Sequence, residues 1–479
     1  MYILSGMAVL VNYNFIKFVN LLRFLLSLRY RIISERIKIL IDIEFQRVLF
    51  MKTVAFITLG CKVNIYETEG MKRIFEEGGY NVVPPDSAAD VYVINTCTVT
   101  HLSERKSRQM IRRAKRINPR AIIAAVGCYS QIAPDEVLAV DGVNLIVGNN
   151  HKGEILKLVE QADQKTKKVL VSERGELDNY EDLQVKSYTG HTRAFLKIQD
   201  GCDQFCSYCI IPIARGKIRS RSPESIIDEA KVLADKGFSE IVLTGIHITS
   251  YGKDVEGATL LDIIYQLNLI EGIKRIRLGS LEPLYMSADT VKKMVQAEKL
   301  CPHFHLSLQS GCDETLKRMN RKYTTAEYEE IVAIIRDTFP DAAITTDIMT
   351  GFPGETEEEF EQTCSFVEKI GFSQAHIFKF SARKGTKAAV MPNQIPPLEK
   401  ERRSKILSEI CEKSKERYRA GFIGRNMDVL FEQKRGKLWE GLTINYIPVQ
   451  VKYDADLTGM IKNVRLEKSI NGVVFGHII

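Results

Sequence analysis

Residues 193–209 read RAFLKIQDGCDQFCSYC, a run of strand-forming apolar residues that leads into Cys202, Cys206 and Cys209 at C-x3-C-x2-C spacing. One loop just past a strand therefore offers three thiols. Iron–sulfur clusters are held by thiolates, and a cubane normally takes four. Three would leave one iron open, and an open coordination position separates a catalytic metal site from a structural one. A zinc ion completed by a distant residue, Cys301 or His303, is the competing reading. It suits the spacing less well, because zinc loops usually pair C-x2-C units.

Downstream of the loop the strand pattern repeats in EIVLTGIHI, RIRLGSLEP, HFHLSLQSG, AAITTDIMTGFPGE and AHIFKFSARKGT, with amphipathic helical stretches between. Repeated βα units suggest a full or partial barrel with its chemistry at the strand C-termini. In HFHLSLQS the polar residues His303, His305, Ser307 and Gln309 alternate with Phe304, Leu306 and Leu308. Strand periodicity puts the polar set on one face. Inside a barrel that face would meet cofactor or substrate; on an edge strand it would simply face solvent. Thr244, Gly245, Ser280 and Glu282 end neighbouring strands. Gly351, Gly354 and Glu355 end another, where glycines let a cofactor approach the backbone.

Upstream, TVAFITLG, DVYVINTC and AIIAAVGC alternate with helical stretches, which is the pattern of a doubly wound α/β domain with a parallel sheet. Each of these strands runs into a cysteine: Cys61, Cys97 and Cys128. Ligands of open parallel sheets gather at the carboxyl ends of strands. A free cysteine alone is often a small buried hydrophobe; three at strand ends in one domain favour ligation. The expected organisation is an α/β domain over 51–162, a polar linker over 163–187, the βα-repeat domain over 188–420 and a small β-barrel over 421–479. The last rests on short strands separated by Gly, Asn and Asp turns.

The 479 residues exceed one compact core, and 45% hydrophobic with 27% charged residues is ordinary for a soluble globular protein. Ten cysteines without a secretory signal argue against a disulfide scaffold. The first fifty residues stand apart: seven Lys and Arg against three Asp and Glu supply four of the seven net positive charges. Charges interrupt the apolar runs too often for a spanning helix. An amphipathic membrane-surface helix or an over-extended gene start ahead of Met51 is expected, the latter preferred. The stretch SERKSRQMIRRAKRINPR sets eight basic residues, Arg112, Arg113 and Arg116 among them, against one acid. Such a run is usually a solvated helix face; this imbalance favours phosphate contacts. Trp439 and Tyr446 would stack on bases or fill the last domain's core.

C-x3-C-x2-C after a strand, in a βα-repeat domain, resembles the radical S-adenosylmethionine (SAM) superfamily. The added N-terminal domain with Cys61, Cys97 and Cys128, and the C-terminal barrel, resemble the methylthiotransferases, whose barrel is a TRAM domain. PIARGKIRSR resembles the same family, and the motifs TLGCKVNIYETEG, HLSLQSG and MNRKYT resemble the branch acting on N6-threonylcarbamoyladenosine in tRNA; Ile65 departs from it. The isopentenyladenosine and ribosomal-protein branches carry different residues after the first cysteine, and they remain the alternatives. The resemblance implies two 4Fe–4S clusters, one on Cys202, Cys206 and Cys209 and an auxiliary one on Cys61, Cys97 and Cys128. It implies SAM as source of a 5′-deoxyadenosyl radical, tRNA as partner and an electron donor such as flavodoxin or ferredoxin. A cytoplasmic location without stable membrane association is expected.

Overall fold

The computed structural model describes residues 51–479 apart from 164 and 471; the expectations for residues 1–50 lie outside the described residues. The chain begins with β1 (Thr53–Thr58), α1 (Lys62–Glu77), β2 (Asn81–Val83) and β3 (Val91–Thr96). Next come α2 (His101–Ile117), β4 (Ile122–Gly127), the short α3 (Cys128–Ile132), β5 (Leu145–Val147) and β6 (Lys168–Leu170). The six strands form one sheet in the order β2-β1-β3-β4-β5-β6, and all its pairs are parallel. Alternate residues serve opposite faces, and both faces are dry. Val54, Phe56, Val93, Ala124 and Val126 pack into one apolar cluster, and Ala55, Tyr92, Ile94, Ile123 and Ala125 into another. A parallel sheet covered on both faces needs such unbroken apolar runs.

The second unit carries β7 (Arg193–Lys197), α4 (Ile211–Arg215), β8 (Glu240–Thr244), β9 (Arg275–Leu278) and β10 (Ser280–Leu281). It continues through β11 (His303–Leu306), β12 (Ala343–Thr350) and β13 (Gln374–Lys379). They form two parallel sheets, β9-β8-β7 and β10-β11-β12-β13, which meet where β9 runs into β10. The result is an open, partial barrel. Phe304, Leu306 and Leu308 are fully buried in its outer core, each contributing about 1.5–3 kcal/mol by area removed from water. Their polar alternates turn to the inside, as the period-two pattern requires.

Helix α5 (Pro397–Ala420) leads to a closed five-stranded barrel: β14 (Asn426–Arg435), β15 (Leu438–Thr443), β16 (Pro448–Lys452), β17 (Ile461–Ile470) and β18 (Val473–Ile478). Two buried arginines, Arg275 and Arg277, and the half-buried Arg193 fasten it to the partial barrel. Arg193 pairs with Glu432 at 2.7 Å, Arg275 donates to the Asp428 and Leu442 carbonyls, and Arg277 donates to that of Ile444. Among the described residues no helix is long and apolar enough to cross a membrane.

Candidate site at two sets of three cysteines

Strands β1, β3 and β4 are parallel neighbours, so the segments that follow them leave the sheet at one edge. Cys61 caps α1, Cys97 directly follows β3, and Cys128 opens α3. The three thiols meet there. Gly60, at φ 107°, leaves so little room that a Cβ added to it would stand 3.1 Å from Cys97 Sγ. Asn64 faces the Cys61 thiol and Asn149 faces that of Cys128, where the amide nitrogen is 3.6 Å from Sγ. Burial pushes the Cys97 thiol up to about 11, with the neighbouring Cys128 and Cys61 adding to the rise.

The second set lies on the loop between β7 and α4. Its first turn demands glycine: Gly201 sits at φ 72°, and a Cβ there would lie 1.8 Å from the Lys217 carbonyl oxygen. The Cys209 amide donates to the Cys206 carbonyl at 2.9 Å, and that of Cys202 to Gly216. Asn320 donates to the Phe205 carbonyl and Ser207 to that of Arg318, so the loop is tied to the segment after Arg318. Arg321 then reaches back: one nitrogen is 3.3 Å from Cys206 Sγ and the other 2.8 Å from Glu282. Burial lifts Cys202 to about 11 and Cys209 to about 12, and in both the Cys206 thiol adds to the shift.

Between the sets lies a sealed group of charges. Arg215, fully buried at the end of α4, donates to Glu67 at 2.8 Å, to Asp200 at 3.0 Å and to Asn64 at 3.0 Å. Its Nε stands 3.3 Å from Cys128 Sγ. Lys197 bridges Glu67 and Asp200, and Lys152 lies 3.3 Å from Glu67. Burial alone would raise the Glu67 carboxyl, but Arg215, Lys152 and Lys197 overcome it and hold the group below the usual carboxylate range. The loop set, through Arg215, is thus locked to the helix that begins at the auxiliary set.

The strand residues singled out in the sequence divide into four groups. Glu282 faces Arg321 and lies 3.7 Å from His247 Nε2, while the Ser307 carbonyl accepts from Arg321 and Tyr323, so both border the cysteine loop. Gln309, at φ 68°, and buried Thr244 are fixed in backbone pairing at strand ends. Gly245 is closely covered by Gln199. Ser280 and His305 line a cavity of about 210 Å³ with Lys62, His303, Thr345, Asp347, Gln374, His376 and Tyr446. Glu355 is buried and already engaged by Arg403 at 2.7 Å and by the Gly351 amide; Lys400 covers Gly351, and Arg318 lies over Gly354.

Two readings are corrected. Cys301 and His303 cannot complete the loop set as zinc ligands. Cys301 is sealed among Arg277, Glu240 and Arg275, and His303 opens β11 at the end opposite to Ser307, which faces the loop. Of the two aromatic residues singled out in the last domain, Trp439 takes the core role, and Tyr446 takes neither of the roles expected of it. Trp439 fills the barrel core, and Tyr446 leaves it to stack on His303 at 4.5 Å, with Arg193 and Arg277 over its ring.

Among the described residues no three His, Cys, Asp or Glu side chains are gathered for a single metal ion. A cube presents a separate iron to each thiolate, so its ligands stand further apart than those of one ion. Two sets of three thiols, each with a guanidinium 3.3 Å from one sulfur, fit clusters whose thiolate ligands carry negative charge.

The model described as Radical SAM superfamily matches residues 196–367, and that described as Uncharacterized protein family UPF0004 matches residues 53–148. The first span contains the loop set and the second the auxiliary set. The chain is 40% identical to the threonylcarbamoyladenosine tRNA methylthiotransferase MtaB of Bacillus subtilis (strain 168), over 88% of this chain and 94% of that protein. The chain belongs to the MtaB-type radical SAM methylthiotransferase family. The Aquifex aeolicus (strain VF5) protein of the same name is 43% identical over 83% of this chain and 96% of its own. A tRNA-2-methylthio-N(6)-dimethylallyladenosine synthase of Caldicellulosiruptor saccharolyticus is 35% identical over 89% and 93%. In fold the chain is similar to the radical SAM methyltransferase TsrM from Kitasatospora setae, with a TM-score of 0.54 at 14% identity, over 71% of this chain and 77% of that one. An iron–sulfur cluster and SAM come with membership of the family.

Sequence reasoning missed the charges that join the two sets. Arg215, Glu67, Asp200, Lys197 and Lys152 are far apart in the chain and look like surface residues until the fold buries them. One signal was present. Glu67 and Asn64 stand three apart in NIYETEG, on the helix face that also carries Cys61. Arg112, Arg113 and Arg116 are exposed on α2, and Arg113 is already paired with Asp86 at 2.5 Å.

Proposed function

We propose that the protein is a tRNA methylthiotransferase that converts N6-threonylcarbamoyladenosine next to the anticodon to its 2-methylthio derivative. The observation that carries this reading is the nearly full-length likeness to three relatives named for that reaction, at 38–43% identity; a fourth of the same name is 33% identical. Relatives named for the dimethylallyladenosine product are 34–36% identical, which makes that nucleoside the second reading.

Cys202, Cys206 and Cys209 would hold a 4Fe–4S cluster and leave one iron for SAM; together they supply, when bound, the radical chemistry needed to open an unactivated carbon–hydrogen bond. Cys61, Cys97 and Cys128 would hold the second cluster, near the carbon that receives sulfur. Arg321 positions Cys206 against the strand end that carries Glu282. Arg215 positions α4 against Cys128 and so holds the two sets in register across a buried seam. Strand ends at Thr244, Gly245, Gln309 and the Gly351–Glu355 turn would shape the SAM side of the barrel. The C-terminal barrel, read as TRAM-like, and the exposed face of α2 would receive tRNA. An electron donor such as flavodoxin or ferredoxin would work with it in the cytoplasm.

The test is nucleoside mass spectrometry of tRNA from a deletion strain. The methylthio derivative of threonylcarbamoyladenosine should vanish and its precursor accumulate, and both should reverse on complementation. Loss of a methylthio group from isopentenyladenosine or from a ribosomal protein instead would overturn the assignment.

A further inference from the structure

We infer that the cavity behind Lys62 receives the threonylcarbamoyl group of the substrate, with the Lys62 ammonium as counter-ion for its carboxylate; this rests on the tRNA reading above. The cavity is lined by Lys62, by residues of β10–β13 and by Tyr446. At about 210 Å³ it is smaller than the ~300–1,000 Å³ of sites that enclose a whole drug-sized ligand. It therefore suits an appendage rather than a nucleoside or SAM. One of its lining residues, His376 on β13, is exposed.

The lining matches this group. Arg193 and Arg277, behind Tyr446, are neutralised by Glu432 and Glu240. Lys62 has no such partner: no carboxylate among the described residues lies within ion-pair distance of it. Asp347, the acid in the lining, is engaged by His305 Nε2 at 3.3 Å. His303 is 5% exposed, and its Nδ1 has no hydrogen-bond partner. A partly enclosed ammonium without a counter-ion and an orphaned ring nitrogen call for a ligand with an anionic end and further polar groups. A threonylcarbamoyl group has a carboxylate for Lys62, amide and carbonyl groups for His303 and Gln374, and a hydroxyl for the Asp347–His305 pair. An isopentenyl group would leave every one of them unsatisfied.

Position agrees with chemistry. Lys62 directly follows Cys61, and His303 lies at the end of β11 remote from Arg321 and the loop set. On adenine, C2 and C6, the carbon whose amino nitrogen carries the appendage, flank the same ring nitrogen. A base that presents C2 to the auxiliary thiols therefore carries its appendage next to them.

The experiment compares kcat/KM for an anticodon stem-loop bearing the free acid with that for the same stem-loop bearing the methyl ester. The ratio is independent of how much enzyme is active. The wild type should prefer the acid on the order of tenfold to a hundredfold, the range of a charge-assisted hydrogen bond. Lys62→Met should bring the ratio towards one, and Lys62→Arg should restore part of it. An active wild type that does not distinguish acid from ester overturns the proposal, and so does a ratio that Lys62→Met leaves unchanged. The wild-type ratio decides even if Lys62→Met does not turn over. Failure of the wild type to modify the acid stem-loop at all would instead bring down the tRNA reading, and this proposal with it.

Discussion

The two cysteine sets reach a similar arrangement by opposite routes. Cys202, Cys206 and Cys209 are gathered by one loop, whose geometry is local: a left-handed glycine at 201, the Cys209 amide on the Cys206 carbonyl, and a tether to Asn320. Cys61, Cys97 and Cys128 are gathered by topology alone, because β1, β3 and β4 are adjacent and parallel. Each set nevertheless has an arginine 3.3 Å from one sulfur, Arg321 at Cys206 and Arg215 at Cys128. A local site survives distortion elsewhere in the protein. A site assembled from three strand ends depends on the whole sheet, and here also on a guanidinium lent by the neighbouring unit.

The largest effect should come from the loop set. Replacing Cys202, Cys206 or Cys209 by Ala should abolish both reductive SAM cleavage and product, since each removes one of only three thiolates. Normal cleavage by the reconstituted triple variant would sink the assignment. Ala at Cys61, Cys97 and Cys128 should be milder: methylthio transfer ends while SAM cleavage stays measurable. Iron should fall from about eight to about four per chain, the counts for two cubes and one. Equal loss of cleavage from both triple variants would erase the proposed division of labour.

The same contrast explains what could be read from the sequence. The loop set is legible because its spacing is covalent, and the strand ending in Cys97 or Cys128 is legible because apolar runs and period-two patterns survive translation into a sheet. That HFHLSLQS has one polar face was legible for that reason too; which way the face turned was left open, and the structure turns it inward. What the sequence hides is long-range charge pairing. The spacing of Asn64 and Glu67 behind Cys61 marks a polar helix face, but nothing near Glu67 names Arg215, 148 residues away, as its partner. Tyr446 misled for a related reason: an aromatic residue in a small β-barrel ordinarily fills it or faces ligand, and this one plugs the neighbouring unit instead.

The seam between the sets supplies a sharper test. Glu67→Gln would leave Arg215, Lys152 and Lys197 with Asp200 as their one remaining acid among these partners. Breaking a buried charge group by removing one partner costs about 3–5 kcal/mol, and urea unfolding at neutral pH should show a loss of that size. The pH dependence has a definite sign. Glu67 is held below the ordinary carboxylate value, so its contribution is complete above pH ~4.5 and fades as pH falls through its folded-state value. The difference between wild type and Glu67→Gln should therefore be constant from about pH 5 to 7, above the range of ordinary carboxylate values, and shrink in stronger acid. A difference that grew on acidification would contradict the assignment of charge to this seam.

The smallest effect concerns the outer face of the auxiliary unit, where α2 follows Cys97. Reversing Arg112, Arg113 and Arg116 should weaken tRNA binding while leaving iron content unchanged, because all three side chains are exposed. For every phosphate that no longer meets a basic side chain, the log–log salt slope should fall by roughly one unit. The three are not equal, however. Arg113 is already paired with Asp86, so part of its charge is satisfied within the protein, and surface pairs of this kind are weak but compete with phosphate. The triple reversal should thus reduce the slope by about two units rather than three, with Arg112 and Arg116 accounting for most of the change and Arg113 alone for the least. Filter binding across a salt series separates these values. An unchanged slope would leave α2 a solvated helix face, and the auxiliary unit would then meet tRNA through its cysteine edge alone.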